Sequence, residues 1–391
     1  MFENMFVKNK YILQFLLYSP RVYSGLDHLM VETTKIAANQ GYTNVCIYSD
    51  TLEHMSQLQT DVESAGGKVE LVRSSKLLRD IWRLYRKYRP TVVDTHFMNK
   101  VKLWTCIFSL LFGTKQYTHV HSLLGDDIEN YIQQKGWIKR TLLGIYYWLL
   151  TKLNRQVICI SQAITDQYRL WSYGRYNNVL TLYIGTQLVA PRYAQDEART
   201  ILRLPHDRSI ITNVSAIEYI KGIDTIVQAI ALLKQRGIDI IFAHIGGLRS
   251  NTIDQQQYAD SLQQLTVKLG IEDNVVWLGR RSDVQDILPM ADVYVHPSRS
   301  EGLGSALLEA SVAGLPLVGS RVGGIPEIVQ QEVNGLLVDA DDAEQLADAI
   351  ELILTSENNY GEQAKKMVYQ QFDQTKQAHK LMNLYNITKT K

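Results

Sequence analysis

The chain has 391 residues, 46% apolar and 21% charged, with 24 Gly and 8 Pro, which is enough for two domain cores and too apolar for a disordered chain. Its 41 Lys and Arg nearly cancel 40 Asp and Glu, so the overall charge speaks against a nucleic-acid binder. The balance hides a split: Met1 to Thr186 carries 22 basic and 14 acidic residues, net +8, and the remainder 19 and 26, net −7, so the halves are expected to meet different partners.

The opening MFENMFVKNK holds neither a long apolar core nor a small-residue cleavage site, so no signal peptide and a cytoplasmic location are expected. YILQFLLY, the turn SPRVYSG, a helix from Leu26 to Asn39 and VCIYS make a first β-α-β unit, and TVVDTH and QVICIS continue the sheet. The apolar runs LWTCIFSLLF and TLLGIYYWLL, the latter closed by Lys152, are about half the ~20 residues that a bilayer span needs. A second series starts at Ile210: IITNVS, a helix Ile223 to Lys234, IIFAHIGG, a helix Tyr258 to Leu269, VVWLG, VYVHPS, a helix Ala306 to Ala313, PLVGS and GLLV. Such alternation predicts an α/β chain of two doubly wound parallel sheets joined by right-handed crossovers. The first domain is expected over 1–186 and the second over 208–370. Between them QLVAPRYAQDEARTILRLPHD, 187–207, breaks the strand rhythm with two prolines and reads as a linker. The tail, 371–391, reads as an amphipathic helix with Phe372, Leu381 and Leu384 apolar, able to cross back onto the first domain. Open parallel sheets bind ligands beyond the carboxyl ends of their strands, which points to the cleft between the domains. Cys46, Cys106 and Cys159 sit far apart in apolar runs with no CxxC, so neither a metal nor a disulfide framework is expected.

The richest stretch is VYVHPSRSEGLGSALLEASVAGLPLVGSRVGGIPEIV. A strand ends at Pro297, a loop carries Glu301, Gly302 and Gly304, and a helix begins near Ser305 and stops at Gly314. The glycines let backbone approach a ligand, and the free amides of Ser305 and Ala306 at the positive helix end suit a phosphate or diphosphate. Glu309, one turn into the helix, can accept hydrogen bonds from a diol such as ribose, and Glu301 can face another hydroxyl-rich group. The alternative is a Gly-rich loop with two solvated glutamates, but strand, loop, helix, second strand and GGIPE turn all follow in order.

These residues resemble the retaining, nucleotide-sugar-dependent glycosyltransferases of family 4, the group 1 transferases, which have the GT-B fold of two Rossmann-like domains. Glu301 to Glu309 matches the family's E-x7-E motif, and Gly323, Gly324, Pro326 and Glu327 match its GG-x-PE turn. The resemblance covers nearly the whole chain. It implies that Glu309 holds the donor ribose, that Glu301 contacts the donor sugar, and that the amides of Leu303, Gly304 and Ser305 lie along sugar and diphosphate. Gly279, which closes VVWLG, is placed in the same donor-binding set. Lys221 and Gly222 resemble the family's KG element, which implies a lysine facing the diphosphate. His121, ending the run Tyr117 to His121, resembles a strand-end histidine that hydrogen-bonds the donor sugar near the reacting carbon. His96, in VVDTHF, matches another position near the acceptor and is read as structural.

Two departures stand out. Where the family carries an arginine five residues before the KG lysine this chain has Ala216, so one cation is missing there, and Arg280, Arg281, Arg299 or Arg321 could project into the cleft instead. The first-domain GGxE loop reads Ser24, Gly25, Leu26, Asp27, where Gly25 either presents amides to a phosphate or makes a plain turn. No Asp-x-Asp pair stands in these loops, and a lysine with a helix start can stabilise a leaving diphosphate. Transfer without metal or cofactor is therefore expected. In KLLRDIWRLYRKYR, Lys76, Arg79, Arg83, Arg86 and Lys87 share one helical side and Leu77, Ile81, Leu84 and Tyr88 another. KGWIKRTLLGIYYWLLTKLNR adds a second basic, aromatic stretch. With the +8 balance they suggest a glycan or lipid-linked acceptor met at the inner face of an anionic membrane, in surface polysaccharide or glycoconjugate synthesis; a helix packed on its sheet with a solvated basic face is the alternative. A GT-B epimerase, a phosphorylase and a catalytically silent binding subunit are the rival functions.

Overall fold

A computed structural model describes residues 10–17, 25–49, 56–96, 99–122, 137–172, 177–249 and 252–387. The expected turn SPRVYSG lies outside them as far as Ser24. The chain divides into two compact units, Met1–Gly185 with Gln374–Lys391, and Thr186–Asp373.

In the first unit the strands are β1 (Lys10–Phe15), β2 (Tyr42–Ser49), β3 (Lys68–Val72), β4 (Val92–Thr95), β5 (Lys115–Val120), β6 (Gln156–Cys159) and β7 (Val179–Thr181). They form a parallel sheet in the order β3-β2-β1-β4-β5-β6-β7. Its helices are α1 (Gly25–Asn39), α2 (Ser56–Ser64), α3 (Leu77–Tyr88), α4 (Asn99–Phe112), α5 (Trp137–Leu153) and α6 (Gln162–Trp171). The central strands are buried on both faces, as a sheet covered by helices on each side requires: Ile12, Leu13 and Phe15 on β1, Val45 and Ile47 on β2, Val92 and Val93 on β4.

The second unit contains α7 (Gln195–Leu202), β8 (Ser209–Val214), α8 (Ile223–Gln235), β9 (Ile240–Ile245), α9 (Ile253–Leu269), β10 (Val275–Trp277), α10 (Val284–Ile287) and β11 (Val293–His296). It continues through α11 (Ser305–Val312), β12 (Leu317–Ser320), α12 (Ile325–Ile328), β13 (Gly335–Val338), α13 (Ala343–Thr355) and α14 (Tyr360–Gln371). Its parallel sheet runs β10-β9-β8-β11-β12-β13. The last helix, α15 (Gln374–Leu384), packs on α1 of the first unit, where it buries Ala378, Leu381 and Met382.

Three expectations need correction. Residues 187–207 are not a linker: the chain changes unit between Gly185 and Thr186, and α7 belongs to the second unit. The reason is Arg199, buried despite its charge because its guanidinium bonds the Met290 carbonyl at 2.8 Å and the Asp292 carboxylate at 2.8 Å. The second unit accordingly runs from Thr186 to Asp373, not 208–370. Finally, α9 starts at Ile253, five residues before the expected start at Tyr258, because the polar run Asp254–Gln257 is helical too.

Candidate active site

Each sheet reverses its strand order once, beside β1 in the first unit and beside β8 in the second. Loops leaving the strands there splay to opposite faces and open a crevice at the strands' carboxyl ends. Chemistry-bearing residues gather at both places.

In the second unit the loop after β8 carries Lys221 and the loop after β11 carries Glu301. The Lys221 ammonium donates to Glu301 Oε2 at 2.7 Å, across 80 positions of sequence. Gly222 makes the approach possible. Its φ is +65°, and a Cβ there would lie 2.1 Å from the Pro297 carbonyl oxygen, so only glycine lets this turn settle on the end of β11. Arg299 fastens the same junction: its guanidinium forks onto Asp224 at 2.7 and 3.0 Å, reaches Asp341 at 2.6 Å and stacks 3.7 Å from the Tyr219 ring. His296, at the end of β11, places Nε2 3.0 Å from the same Glu301 oxygen. Burial by itself would raise the Glu301 carboxyl; the Lys221 and His296 partners outweigh it and hold it well below the usual carboxylate range.

Next along the chain, Leu303 is buried, and Gly304, at φ +95°, delivers the backbone into α11. Ser305 opens that helix, exposed, so the first-turn amides are available to an anion. Glu309 follows one turn later. Among the described residues no side chain pairs with its carboxyl, and loss of hydration within the surrounding protein pushes it up to about 7, although part of the residue still meets solvent. Two glutamates eight positions apart thus have opposite electrostatics, one paired and firmly ionised, the other poised to titrate near neutrality. Gly279 stands apart, its carbonyl accepting from the Gly246 amide at 2.8 Å.

Of the four arginines named as a second cation, Arg299 is committed to Asp224 and Asp341 and Arg281 to Asp283 at 2.7 Å, whereas Arg280 bonds the Leu248 carbonyl and Arg321 the Leu337 carbonyl at 3.0 Å, each exposed and with further N–H donors. Lys221 is the cation that reaches Glu301 and the α11 approach.

In the first unit the site lies at the ends of β4 and β5. His121 Nε2 is 2.8 Å from His96 Nδ1, and His96 Nε2 is 3.2 Å from Gln14 Oε1. Gln14 Nε2 donates to the Tyr385 hydroxyl at 3.4 Å, and that hydroxyl donates to Asp94. The amide oxygen of Gln14 only accepts, so His96 carries its proton on Nε2 and its Nδ1 receives the proton of His121. A directed chain therefore runs from His121 through His96, Gln14 and Tyr385 to a buried carboxylate. Burial, reinforced by neighbouring His119 and Lys102, holds both His96 and His121 well below the ordinary histidine value, so both rings are neutral. His119 lies 2.8 Å from Asp94 and stacks on His96 with centroids 4.3 Å apart. Asp94, His96 and His119 are the one group of three possible metal ligands among the described residues. His96 is engaged with His121 and Gln14 and one Asp94 oxygen with Tyr385, while Asp94 Oδ1 and His119 Nδ1 have no hydrogen-bond partner among the described residues; buried Lys102 adds positive charge against a cation. Gly25 is the first residue of α1; its carbonyl accepts from Gln374 at 2.6 Å, and a Cβ there would find only ordinary contact. Gly25 and His121 thus sit in the first unit and the other expected site residues in the second. Sequence reasoning missed His296, Asp94, His119, Gln14 and Tyr385. Of these, the strand-end positions of His296 and His119 were the available signal.

Comparison with known proteins fits this geometry. Residues 194–372 match the model of the glycosyl transferases group 1. N-acetyl-alpha-D-glucosaminyl L-malate synthase of Bacillus anthracis is 33% identical over 185 residues, 46% of each chain. Lipopolysaccharide core biosynthesis glycosyltransferase LpsE of Rhizobium meliloti is 28% identical over 222 residues, 56% of this chain and 60% of its own. The chain spans about half the length of such relatives. Among solved structures, Anabaena Alr3699/HepE in complex with UDP-glucose superposes with a TM-score of 0.79 at 19% identity, over 97% of this chain and 100% of that one. Sucrose-phosphate synthase of Thermosynechococcus elongatus gives 0.78 at 20%, over 97% and 98%. The two parallel sheets are those of the GT-B fold.

Proposed function

Because residues 194–372 belong to the group 1 glycosyl transferases, we propose that this chain moves a sugar from a nucleoside-diphosphate sugar to a glycan or lipid-linked acceptor, with retention of the anomeric configuration and without a metal. The observation that carries the reading is the Lys221–Glu301 pair set beside the open amides of α11, with Glu309 one turn further on. A leaving nucleoside diphosphate gathers negative charge on its β-phosphate while the sugar takes on oxocarbenium character, so fixed positive groups at the phosphate lower the barrier most. Lys221 has three protons: one holds Glu301, and two remain for phosphate oxygens. Glu309 accepts from the ribose diol. Glu301, kept ionised and held by His296 as well, faces the sugar hydroxyls. His121, neutral and fixed in one tautomer by His96, bonds the sugar near the reacting carbon. Uridine is the base proposed, since the structural neighbour above was solved with UDP-glucose.

The test is a screen of UDP-sugars by thermal shift and turnover. One of them is expected to raise the melting temperature by mass action, about 2.7 kcal/mol at a hundredfold excess over Kd, and to be transferred or slowly hydrolysed. Chelators should leave the rate unchanged, and the product should keep the donor's anomeric configuration by NMR. Ala216, in place of an arginine, favours one second reading, a subunit that binds nucleotide without turnover. Binding with no hydrolysis or transfer would select it, and failure of every nucleotide sugar to bind would remove both readings.

A further inference from the structure

We infer that the outer surface of α3, α4 and α5 in the first unit docks on an anionic lipid bilayer. These helices pack side by side, α4 against both α3 and α5. Between them they hold eight of the seventeen large apolar side chains exposed among the described residues. Trp82 on α3, Trp104 on α4 and Trp148 on α5 are all more than a third exposed, and Leu110 and Leu111 on α4 are 64% and 69% exposed. A contiguous apolar patch of this kind marks an interaction surface.

The charge around it chooses the partner. By sequence the three helices carry nine Lys and Arg against a single acid, Asp80, which is buried next to the Arg73 amide at 3.2 Å; Lys102 is itself buried, and Arg83 and Lys87 pair with Glu70. Arg79 and Arg86 are exposed and form no ion pair among the described residues. An open cavity of about 390 Å³, lined by Trp82, Arg86, Arg89, Pro90, Leu111 and Phe112, sets two guanidiniums next to an indole, which suits a phosphate at the edge of an apolar layer. Indoles and long aliphatic chains interleaved with cations sit where headgroups meet acyl chains. A second copy of this chain would bring the same positive face against itself, a like-charge contact that a two-fold interface cannot escape. No described helix is long and apolar enough to cross a membrane, so the contact lies in the surface plane.

The assignment rests on the first unit's own residues and stands apart from the transferase reading, since vesicle binding needs no donor. The experiment is co-sedimentation of the full chain with vesicles of phosphatidylglycerol and phosphatidylcholine, against phosphatidylcholine alone. Binding is expected to the anionic vesicles, and to fade as salt shortens the Debye length from about 10 Å at 0.1 M toward 3 Å at 1 M. Arg79→Glu with Arg86→Glu, and separately Leu110→Ser with Leu111→Ser, should each weaken binding roughly tenfold or more with unchanged melting temperature. Leu352→Ser, exposed on the second unit, should change nothing. Equal binding to neutral vesicles, full binding by both double variants, or concentration-dependent self-association in place of sedimentation would each overturn the inference.

Discussion

Glu309 is placed to titrate near neutrality. Its folded value of about 7 lies above the ordinary 4.5, so the fold favours the neutral acid. Its contribution to stability is complete below pH 4.5 and is lost as pH rises toward 7, where ionisation in place costs roughly 3 kcal/mol at most. Glu309→Gln should therefore raise the melting temperature at pH 8 and hardly change it at pH 4.5. A ribose diol binds the charged form, so donor affinity should fall as pH drops below about 7, with proton release in two-buffer calorimetry; the Gln variant should lose both. Lys221→Ala removes the phosphate cation and leaves Glu301 a partly buried charge held by His296 and, at 3.5 Å, by the Ser298 hydroxyl. We expect kcat to fall about a hundredfold or more, with much less change in the variant Glu327→Gln. At this scale the sequence showed which side chains matter and not what they touch. The E-x7-E spacing marked Glu301 and Glu309, but their opposite electrostatics follow from Lys221, 80 positions away, and nothing local to His121 announces Tyr385.

At the scale of elements, glycine geometry decides whether the loop after β8 can deliver Lys221. Gly222→Ala must either push back the Pro297 carbonyl or abandon a positive φ, so a loss of about 2 kcal/mol or more is expected in denaturant melts, accompanied by weaker donor binding. Gly279→Ala shares a positive φ of +67° but meets no atom within 4 Å, and should cost less. Strongly apolar elements were the legible ones: β1, β2, β4 and nearly all the strands of the second sheet appear where their Val and Ile runs stand. The edge strand β3 was missed because KVELV, half-exposed, carries charges on a short segment. α7 was missed because its anchor is one buried arginine and not an apolar stripe, and two flanking prolines imitate a linker.

For the whole molecule, the buried thiols offer a clean probe. Cys46, Cys106 and Cys159 are all free and buried, and burial pushes each thiol up to about 12, so none should react with an alkylating agent at pH 8 until the chain unfolds. Because Cys46, Cys106 and Cys159 all lie in the first unit, their labelling reports its opening alone, and a bound nucleotide sugar should slow it less than it slows proteolysis of the second unit. The seam between the units, at Gly185 and Thr186, falls within one residue of the expected end of the first domain, where the balance of charge changes sign; only the linker expected after it is absent.

α15 lends its apolar side to α1, and Tyr385 closes the proton chain behind His121, so the first unit is finished by residues that follow the second. During synthesis the ribosome must therefore make all of Thr186–Asp373 before the amino-terminal half can complete its own interior. The later half is able to mature first, leaving the earlier one waiting with the α15-facing side of α1 open to chaperones until that helix emerges.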